Sequence, residues 1–521
     1  MSVGLKLSGF LSLILVSSLS CADQQSSFSD LRHHLKAGDG QIRIAASDVL
    51  TVVDDKMNPV AGATIIIGYQ VNDPFPGNTL TTGTTGTVSI PADWKAALPI
   101  TVQAAGYVTT TMPEVMPGEM MIQLSRQEMA SEYEVKGTTT GYGSLTEDGK
   151  VDFGLVIPAL SRSQMLSFDL SAVISPQSDT LEIAGKEVKV PSNIALPDQS
   201  ETYIVFPIEL NKPDYRVYTR SMSMTNLFGA HGQFPLQKVI DAVQGGKSMF
   251  DVINYFSFFT GGEKPINVTG NLAGQDLAVD QMKFDKAVKV TAPDYDKANV
   301  MISMSLIEDK GQLMPTDLKR LMPKQNMNLK SVGTAPSVLS VLMPDSSKTT
   351  AAPKSEIGQL NPLNVMNQYI ADYTARPTAA TMQDFSNLSF ALLPATGGAA
   401  PQFLSLTAKP TYVDYVLKMD VPKMPAGLTA VATYMVLTEV EVIDGGTIKT
   451  ERRTRIWEVW SHAWLDQVEL PKIPFTRKSD RKYRWEVMFL AAPSSFVGES
   501  VKTNVIDLNS ITHVTRNALE I

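Results

Sequence analysis

The amino-acid sequence predicts a mainly β protein in which several β-sandwich domains follow one another along the chain, with a few short helices. Its 521 residues suffice for three or four domains of about 150 residues each. Short runs rich in β-branched and aromatic residues recur, separated by Gly, Pro, Asn and Asp, a pattern typical of strands and turns. Hydrophobic residues make up 43% and charged residues 19% of the chain, which indicates ordered globular domains.

The first 21 residues have the pattern of a secretory signal peptide. Lys6 supplies a short positive region, Gly9–Val16 is an apolar stretch, and small residues follow it. The apolar stretch is too short for a stable membrane span. We therefore predict that the protein is exported and that the polar, weakly patterned residues 22–44 form a tether.

Cys21 is the only cysteine of the chain, and it directly follows the apolar stretch and Ser20. This arrangement resembles a bacterial lipoprotein signal, in which the cysteine is lipid-modified and becomes the mature N-terminus. The resemblance implies a membrane anchor on Cys21, and Ala22 after it implies an outer-membrane lipoprotein, periplasmic or surface-exposed. A lone free thiol is a liability in an oxidising compartment, which also favours lipidation. The alternative is a secreted protein that is cut after Ala22.

Residues 45–127 carry the first set of strand-like runs. Gly and Pro residues separate these runs, which predicts a small antiparallel sandwich. The runs are Leu50–Val53, Ala63–Tyr69, Thr87–Ile90, Ile100–Ala104 and Met120–Leu124.

The segments VVDDKMNPVAGATIII, TTGTTGTVSIP, LPITVQAAGYVTTT and PGEMMIQL in this region resemble the carboxypeptidase regulatory-like, transthyretin-like domain. The resemblance covers about residues 48–126 and implies an accessory extracytoplasmic β-module without catalytic residues. The family often has an Asp-rich turn before the position of Gly86. Thr82–Thr85 stands there, so no calcium site is predicted. We expect unusual dihedral angles at Gly62 and Gly106 and expect Tyr107 to cover the edge of the core.

Residues 128–292 are predicted to form a second β-rich domain with a helical insertion at 234–260. Apolar residues recur there at three-to-four spacing, which indicates two amphipathic helices separated by Gly245-Gly246. The aromatic cluster Tyr255–Phe259 is interpreted as core packing, with a partner groove as the alternative.

Residues 293–521 are predicted to form a C-terminal β-sandwich region with a linker or loop at 345–362. A short helix is predicted to begin at Pro315, because proline favours the first turn of a helix. Ala430–Ile443 and Thr447–Trp460 read as a long hairpin. Its pattern is broadly similar to fibronectin- or immunoglobulin-type sandwiches.

This hairpin region also contains the candidate partner-binding patch. Between Lys449 and Arg484, ten Lys and Arg residues stand against five acidic residues, although the whole chain has a net charge of −8. Tryptophan interleaved with arginine is typical of binding surfaces. The alternative is that the tryptophans fill the core and the arginines coat the outer face. The predicted patch comprises Trp457, Trp460, Trp464, Arg452, Arg453 and Arg455.

The sequence has no GxSxG or HExxH motif, and His231, His462 and His513 are far apart along the chain. We therefore predict no catalytic residue, metal site or cofactor, and the negative net charge argues against nucleic acid as a partner. The predicted function is a binding or structural role in the cell envelope. The expected contacts are the membrane, through the lipid on Cys21, and an envelope protein or polysaccharide. The alternative is an envelope hydrolase acting on peptide or glycan, with the first domain as its accessory.

Overall fold

The described part of the chain is mainly β-strand, as the sequence predicts. In the described part of the chain the strands are β1 (Val49–Asp54), β2 (Thr64–Ile67), β3 (Thr79–Thr81), β4 (Thr87–Ser89), β5 (Leu98–Gln103), β6 (Thr109–Val115), β7 (Met120–Leu124), β8 (Tyr133–Thr140), β9 (Lys150–Pro158), β10 (Leu160–Ser161), β11 (Ser178–Ile183), β12 (Lys186–Pro191), β13 (Tyr203–Val205), β14 (Asp214–Thr219), β15 (Met224–Pro235), β16 (Ser257–Asn267), β17 (Leu277–Ala278), β18 (Met282–Lys283), β19 (Lys286–Thr291), β20 (Asn299–Asp309), β21 (Gln312–Leu321), β22 (Asn326–Ser331), β23 (Ser337–Pro344), β24 (Leu388–Pro394), β25 (Thr411–Val413), β26 (Val416–Lys418), β27 (Leu428–Asp444), β28 (Lys449–Ser461), β29 (Gln467–Glu469), β30 (Lys482–Pro493) and β31 (His513–Glu520).

The structure is a computed structural model that describes residues 49–54, 56–127, 133–142, 150–161, 178–183, 186–191, 203–205, 214–219, 224–235, 237–238, 241–242, 253–333, 336–344, 387–395, 398–444, 449–472, 477–495, 504, 506 and 510–521. Residues 49–521 belong to one compact unit. Within the described ranges, no helix is both long enough and apolar enough to cross a membrane.

One large sheet runs through most of this unit. Its strand order is β10-β21-β20-β23-β24-β31-β30-β27-β28-β6-β5-β2-β3, so it includes strands from the first predicted domain and from the C-terminal region. Strands β28 and β6 join the two parts by parallel pairing, with Trp457 opposite Thr109 and Val459 opposite Thr111. The first domain therefore shares a continuous hydrogen-bonded sheet with the C-terminal strands.

Smaller sheets pack on this large sheet and on each other. The five-stranded sheet β13-β9-β15-β16-β18 contributes Phe153, Phe228 and Phe234 to the same core as Leu339 and Leu490 of the large sheet. A second core separates the five-stranded sheet from the sheet β14-β8-β17. Because alternate residues of a strand point to opposite faces, strands β9 and β15 serve both cores.

The first domain is a small sandwich of β4-β1-β7 against the β3-β2-β5-β6 end of the large sheet, around its own apolar core. Gly62 and Gly106 have φ of 73° and 81°, as expected. Tyr107 packs against the edge of this core, also as expected, and the guanidinium of Arg126 lies 5.8 Å from its ring centroid.

The helix predicted from Pro315 is wrong, because this residue lies inside strand β21. The β20–β21 register shifts between Ser305 and Leu306, so Thr316 is an extra residue opposite this point. A β-bulge tolerates proline because the ladder is locally interrupted. The preceding hairpin turn, Lys310-Gly311, has positive φ at both residues.

The predicted helical insertion at 234–260 is shorter than expected at both ends. Phe234 and Pro235 end strand β15, and Ser257 begins strand β16. Helical backbone occurs at residues 237–238, 241–242 and 253. Within the aromatic cluster, Tyr255, Phe256 and Phe258 pack on the core that the five-stranded sheet shares with the large sheet, whereas Phe259 is exposed.

Several predicted features lie outside the described residues. They are the signal peptide with Cys21, the tether at 22–44, Gly245-Gly246 and the linker or loop at 345–362. The predicted domain boundaries stay predictions.

Candidate functional site

Trp457 belongs to the core and to the junction between β28 and β6. Its side chain is 5% exposed and packs with Trp485 and Phe489 on one face of the large sheet. Its indole N–H donates a hydrogen bond of 2.9 Å to the Thr111 hydroxyl. A buried indole needs such a partner. The residue therefore links the C-terminal hairpin to the first domain.

Trp460 and Trp464 are half-buried. Trp460 lies on the opposite face of the sheet from Trp457, where it stacks on Tyr434 with 3.8 Å between the ring centroids. The Trp464 indole N–H donates to the Leu490 carbonyl over 2.9 Å, and its ring meets Phe489 edge-on. The three tryptophans of the predicted patch do not share one exposed surface.

Glu458 is a buried charged residue next to Trp457 on β28. Its carboxylate accepts hydrogen bonds from the Trp460 indole (3.1 Å) and the Ser125 hydroxyl (3.4 Å), and Arg455 lies 3.5 Å away. Ser125 belongs to the first domain, so this carboxylate also connects the two parts. Burial, together with the charge of Glu458, raises the pKa of the Tyr434 hydroxyl well above its usual range.

Arg455 is the one arginine of the predicted patch whose side chain is described, and it is half-buried. Arg452 and Arg453 lie on strand β28, and their side chains are outside the described structure. Of the described tryptophans of the patch, Trp457 donates to Thr111 of the first domain, whereas Trp460 and Trp464 pack on strands of the C-terminal region.

A second polar group lies on the five-stranded sheet, between it and the sheet β14-β8-β17. Asp152 on β9 is 1% exposed, and its Oδ1 is 3.2 Å from Nε2 of His231 on β15. His231 Nδ1 lies 3.4 Å from the hydroxyl of Thr260 on β16. Oδ2 of Asp152 is buried and has no hydrogen-bond partner among the described residues.

The sheet register places these side chains together. His231 pairs directly with Gly154 on one side and with Thr260 on the other. Directly paired residues point to the same face of a sheet. The β15–β16 register shifts between His231 and Gly232, and such bulges redirect side chains near functional sites.

Tyr142 covers the imidazole. Its ring meets His231 edge-on, at 5.3 Å between centroids, and its hydroxyl donates to Thr139 over 2.8 Å. A side chain at Gly154 would place its Cβ 2.0 Å from the Tyr142 hydroxyl, so this position requires glycine. Burial, with a contribution from Asp152, raises the pKa of Tyr142 to about 12.

The other two histidines of the described residues lie elsewhere. His462 follows strand β28 and is exposed. His513 begins strand β31 and is 4% exposed, and burial lowers its pKa to about 4. No group of three or more His, Cys, Asp or Glu side chains that could hold a metal ion occurs among the described residues.

Sequence reasoning missed the Asp152–His231–Thr260 group because it considered the histidines along the chain and not across the sheet. One signal was present. Asp152 interrupts the apolar run VDFGLVI, and a charged residue inside such a run needs a buried partner. Strand pairing alone identifies that partner.

No family model and no curated protein matches the chain. Among solved structures, the Bacillus anthracis TIE protein is similar over 56% of this chain at 10% identity, with a TM-score of 0.14; the chain covers 44% of it. BcpA, the major pilin subunit of Bacillus cereus, is similar over 56% of this chain and 86% of its own, at 12% identity and a TM-score of 0.13. The pilus adhesin SpaC from Lactobacillus rhamnosus GG covers 85% of this chain and 50% of its own, at 9% identity and a TM-score of 0.09. TM-scores this low indicate neither a shared fold nor a shared function.

Proposed function

We propose that the protein is exported, anchored to the cell envelope by a lipid on Cys21, and has a structural or binding role there. The signal-like residues 1–21 and the single cysteine support export and anchoring. The mainly β fold supports a structural or binding role, because strand-rich sandwich domains are common in cell-surface proteins.

The observation that carries the structural part of the proposal is the sheet shared by the first domain and the C-terminal strands. A tethered accessory module would make few contacts with its neighbours, and relative domain motion is the default for small polar interfaces. Here β28 pairs with β6, Trp457 donates to Thr111, and Ser125 donates to Glu458. Such a joint suits a protein that has to hold its shape between the membrane and a partner.

A third link strengthens this joint from another part of the chain. The Asn504 amide accepts a hydrogen bond from the Gln123 N–H and donates one to the Gln123 carbonyl, each over 2.8 Å. The side chain thereby takes the place of a neighbouring strand at the edge of β7. Covering an edge in this way discourages pairing with another chain.

The test is the mass of the mature N-terminus in membrane and soluble fractions of cells that produce the wild type or Cys21→Ala. We expect wild-type protein in the membrane fraction with a diacylated or triacylated Cys21, and the variant in the soluble fraction. Ser17→Ala is the matched control and should behave as wild type. An unmodified chain beginning at Asp23 in the soluble fraction would overturn the anchor.

A further inference from the structure

We propose that Thr260 is the nucleophile of an acyl-transfer site, with His231 as its general base and Asp152 as the residue that positions the imidazole. The substrate class is a carboxylic ester or a peptide acyl group. This inference goes beyond the envelope role and does not depend on it, because it concerns only side chains of the five-stranded sheet.

The hydrogen-bond geometry around His231 indicates its tautomer. An ionised carboxylate only accepts hydrogen bonds, so the nitrogen facing Asp152 Oδ1 at 3.2 Å has to carry the hydrogen. In a neutral imidazole the other nitrogen, Nδ1, is then unprotonated. Its lone pair faces the Thr260 hydroxyl, 3.4 Å away. This is the arrangement in which an imidazole accepts a proton from a nucleophilic hydroxyl.

Asp152 supports this assignment because, among the described residues, His231 is the hydrogen-bond partner of its carboxylate. The Asp152 side chain is fully buried, and its Oδ2 has no hydrogen-bond partner in the described part of the chain. Burying a carboxylate for packing alone is costly. The hydrogen bond between this carboxylate and His231 Nε2 offsets part of that cost, and it holds the imidazole in one tautomer.

Thr260 stands where the group reaches the surface. Its side chain is half-buried, whereas the adjacent Phe259 is 37% exposed beside the irregularity in β16. On the outer side, Thr260 pairs directly with Lys283 of β18, which is exposed. A lysine at this register position offers positive charge near the carbonyl oxygen of a substrate, where negative charge develops during attack.

The reaction balances with these groups. Thr260 Oγ1 forms a bond to the acyl carbon and transfers its proton to His231 Nδ1. The bond from that carbon to the alcohol or amine then breaks, and the leaving group takes the proton from the imidazole. Water hydrolyses the acyl-threonine by the same steps in reverse order, which regenerates the hydroxyl.

The experiment treats the full-length chain with a fluorophosphonate, which reacts with activated hydroxyl groups, and locates the product by intact mass and peptide mapping. In this reaction the Oγ1–P bond forms, the P–F bond breaks, fluoride leaves, and His231 accepts the proton. We expect one adduct, on Thr260. Thr260→Val should abolish it, Thr260→Ser should retain it at position 260, and the control Thr291→Val, at a half-buried threonine on β19, should not change it.

His231→Gln should slow labelling at least a hundredfold, the lower range for a general base. Asp152→Asn should slow labelling and change its pH profile, but should cause no additional loss in the His231→Gln background, because Asp152 acts through the imidazole. Thermal unfolding of each variant checks that it is folded. If the folded wild type gives no adduct at Thr260, or if Thr260→Val is labelled like the wild type, the assignment is wrong.

Discussion

Asp54 shows how a single carboxylate fixes the first turn of the sandwich. Its Oδ1 accepts the backbone N–H groups of Lys56 and Asn58, and its Oδ2 lies 2.8 Å from the Arg126 guanidinium. Burial alone would raise the pKa of this carboxyl group, but Arg126 and the N–H groups outweigh it and lower the pKa to about 2. The folded state therefore stabilises the ionised form of the Asp54 carboxyl group.

The first prediction concerns stability in acid. The pKa of Asp54 is lower in the folded state than its usual value of 3.8. The ionised carboxylate therefore contributes fully to folding stability above pH 3.8, and this contribution is lost as the pH falls towards 2. We expect the free energy of unfolding to fall by about 2 kcal/mol as Asp54 becomes protonated. Urea unfolding between pH 2 and 5 should show this loss in the wild type. Asp54→Asn should be less stable at pH 5, and an equal pH dependence in both proteins would contradict the role given to Asp54.

His513 gives a prediction in a different pH range. Burial lowers its pKa from 6.5 to about 4, so between these values the unfolded state binds more protons than the folded state. The contribution of the neutral His513 imidazole to the free energy of unfolding should be fully present above pH 6.5. The free energy of unfolding should fall by about 3 kcal/mol as the pH drops to 4. Unfolding of His513→Gln should lack this part of the pH dependence. His462→Gln, at an exposed histidine, is the control and should retain it.

At the scale of single elements, the sequence predicts where strands lie along the chain better than it predicts which strands pair with each other. The alternation of the sequence predicts β7 residue for residue and predicts β1, β4 and β5 to within two residues at either end. β-branched runs and glycine turns are local signals, so one segment carries enough information. The composition of Leu181–Val190 predicts one strand, but β11 and β12 pair there as an antiparallel hairpin, with Ile183 opposite Lys186.

Two helix predictions differ from the structure because strand pairing decides the local backbone. They are the helix from Pro315 and the two ends of the insertion at 234–260. Proline at the start of a helix and proline at a bulge look alike in sequence, and pairing with β20 decides between them. Likewise, the Asp152–His231–Thr260 group needs three strands in register. Contacts between residues that are distant along the chain depend on the tertiary fold and not on local patterning.

At the scale of the whole molecule, the central feature is the joint between β6 and β28. The predicted patch tryptophan Trp457 contributes to this joint through Thr111, which also shares a 2.8 Å hydrogen bond with Thr101 on β5. The hydroxyls of β5 and β6 thus continue the hydrogen-bonded network of the C-terminal hairpin. A tryptophan of the candidate partner-binding patch serves here to connect two parts of one sheet.

Hydrogen–deuterium exchange of the native protein tests this joint most directly. We expect peptides covering β6 and β28 to have similar protection, because each strand covers the other's edge. Trp457→Phe removes one buried hydrogen bond, worth about 1 kcal/mol, and should raise exchange in both strands about fivefold. Trp464→Phe is the matched control, since its indole binds the Leu490 carbonyl, and it should leave β6 unchanged. If β6 exchanges orders of magnitude faster than β28 and does not respond to Trp457→Phe, the first domain is an independent module and the account of a shared sheet is contradicted.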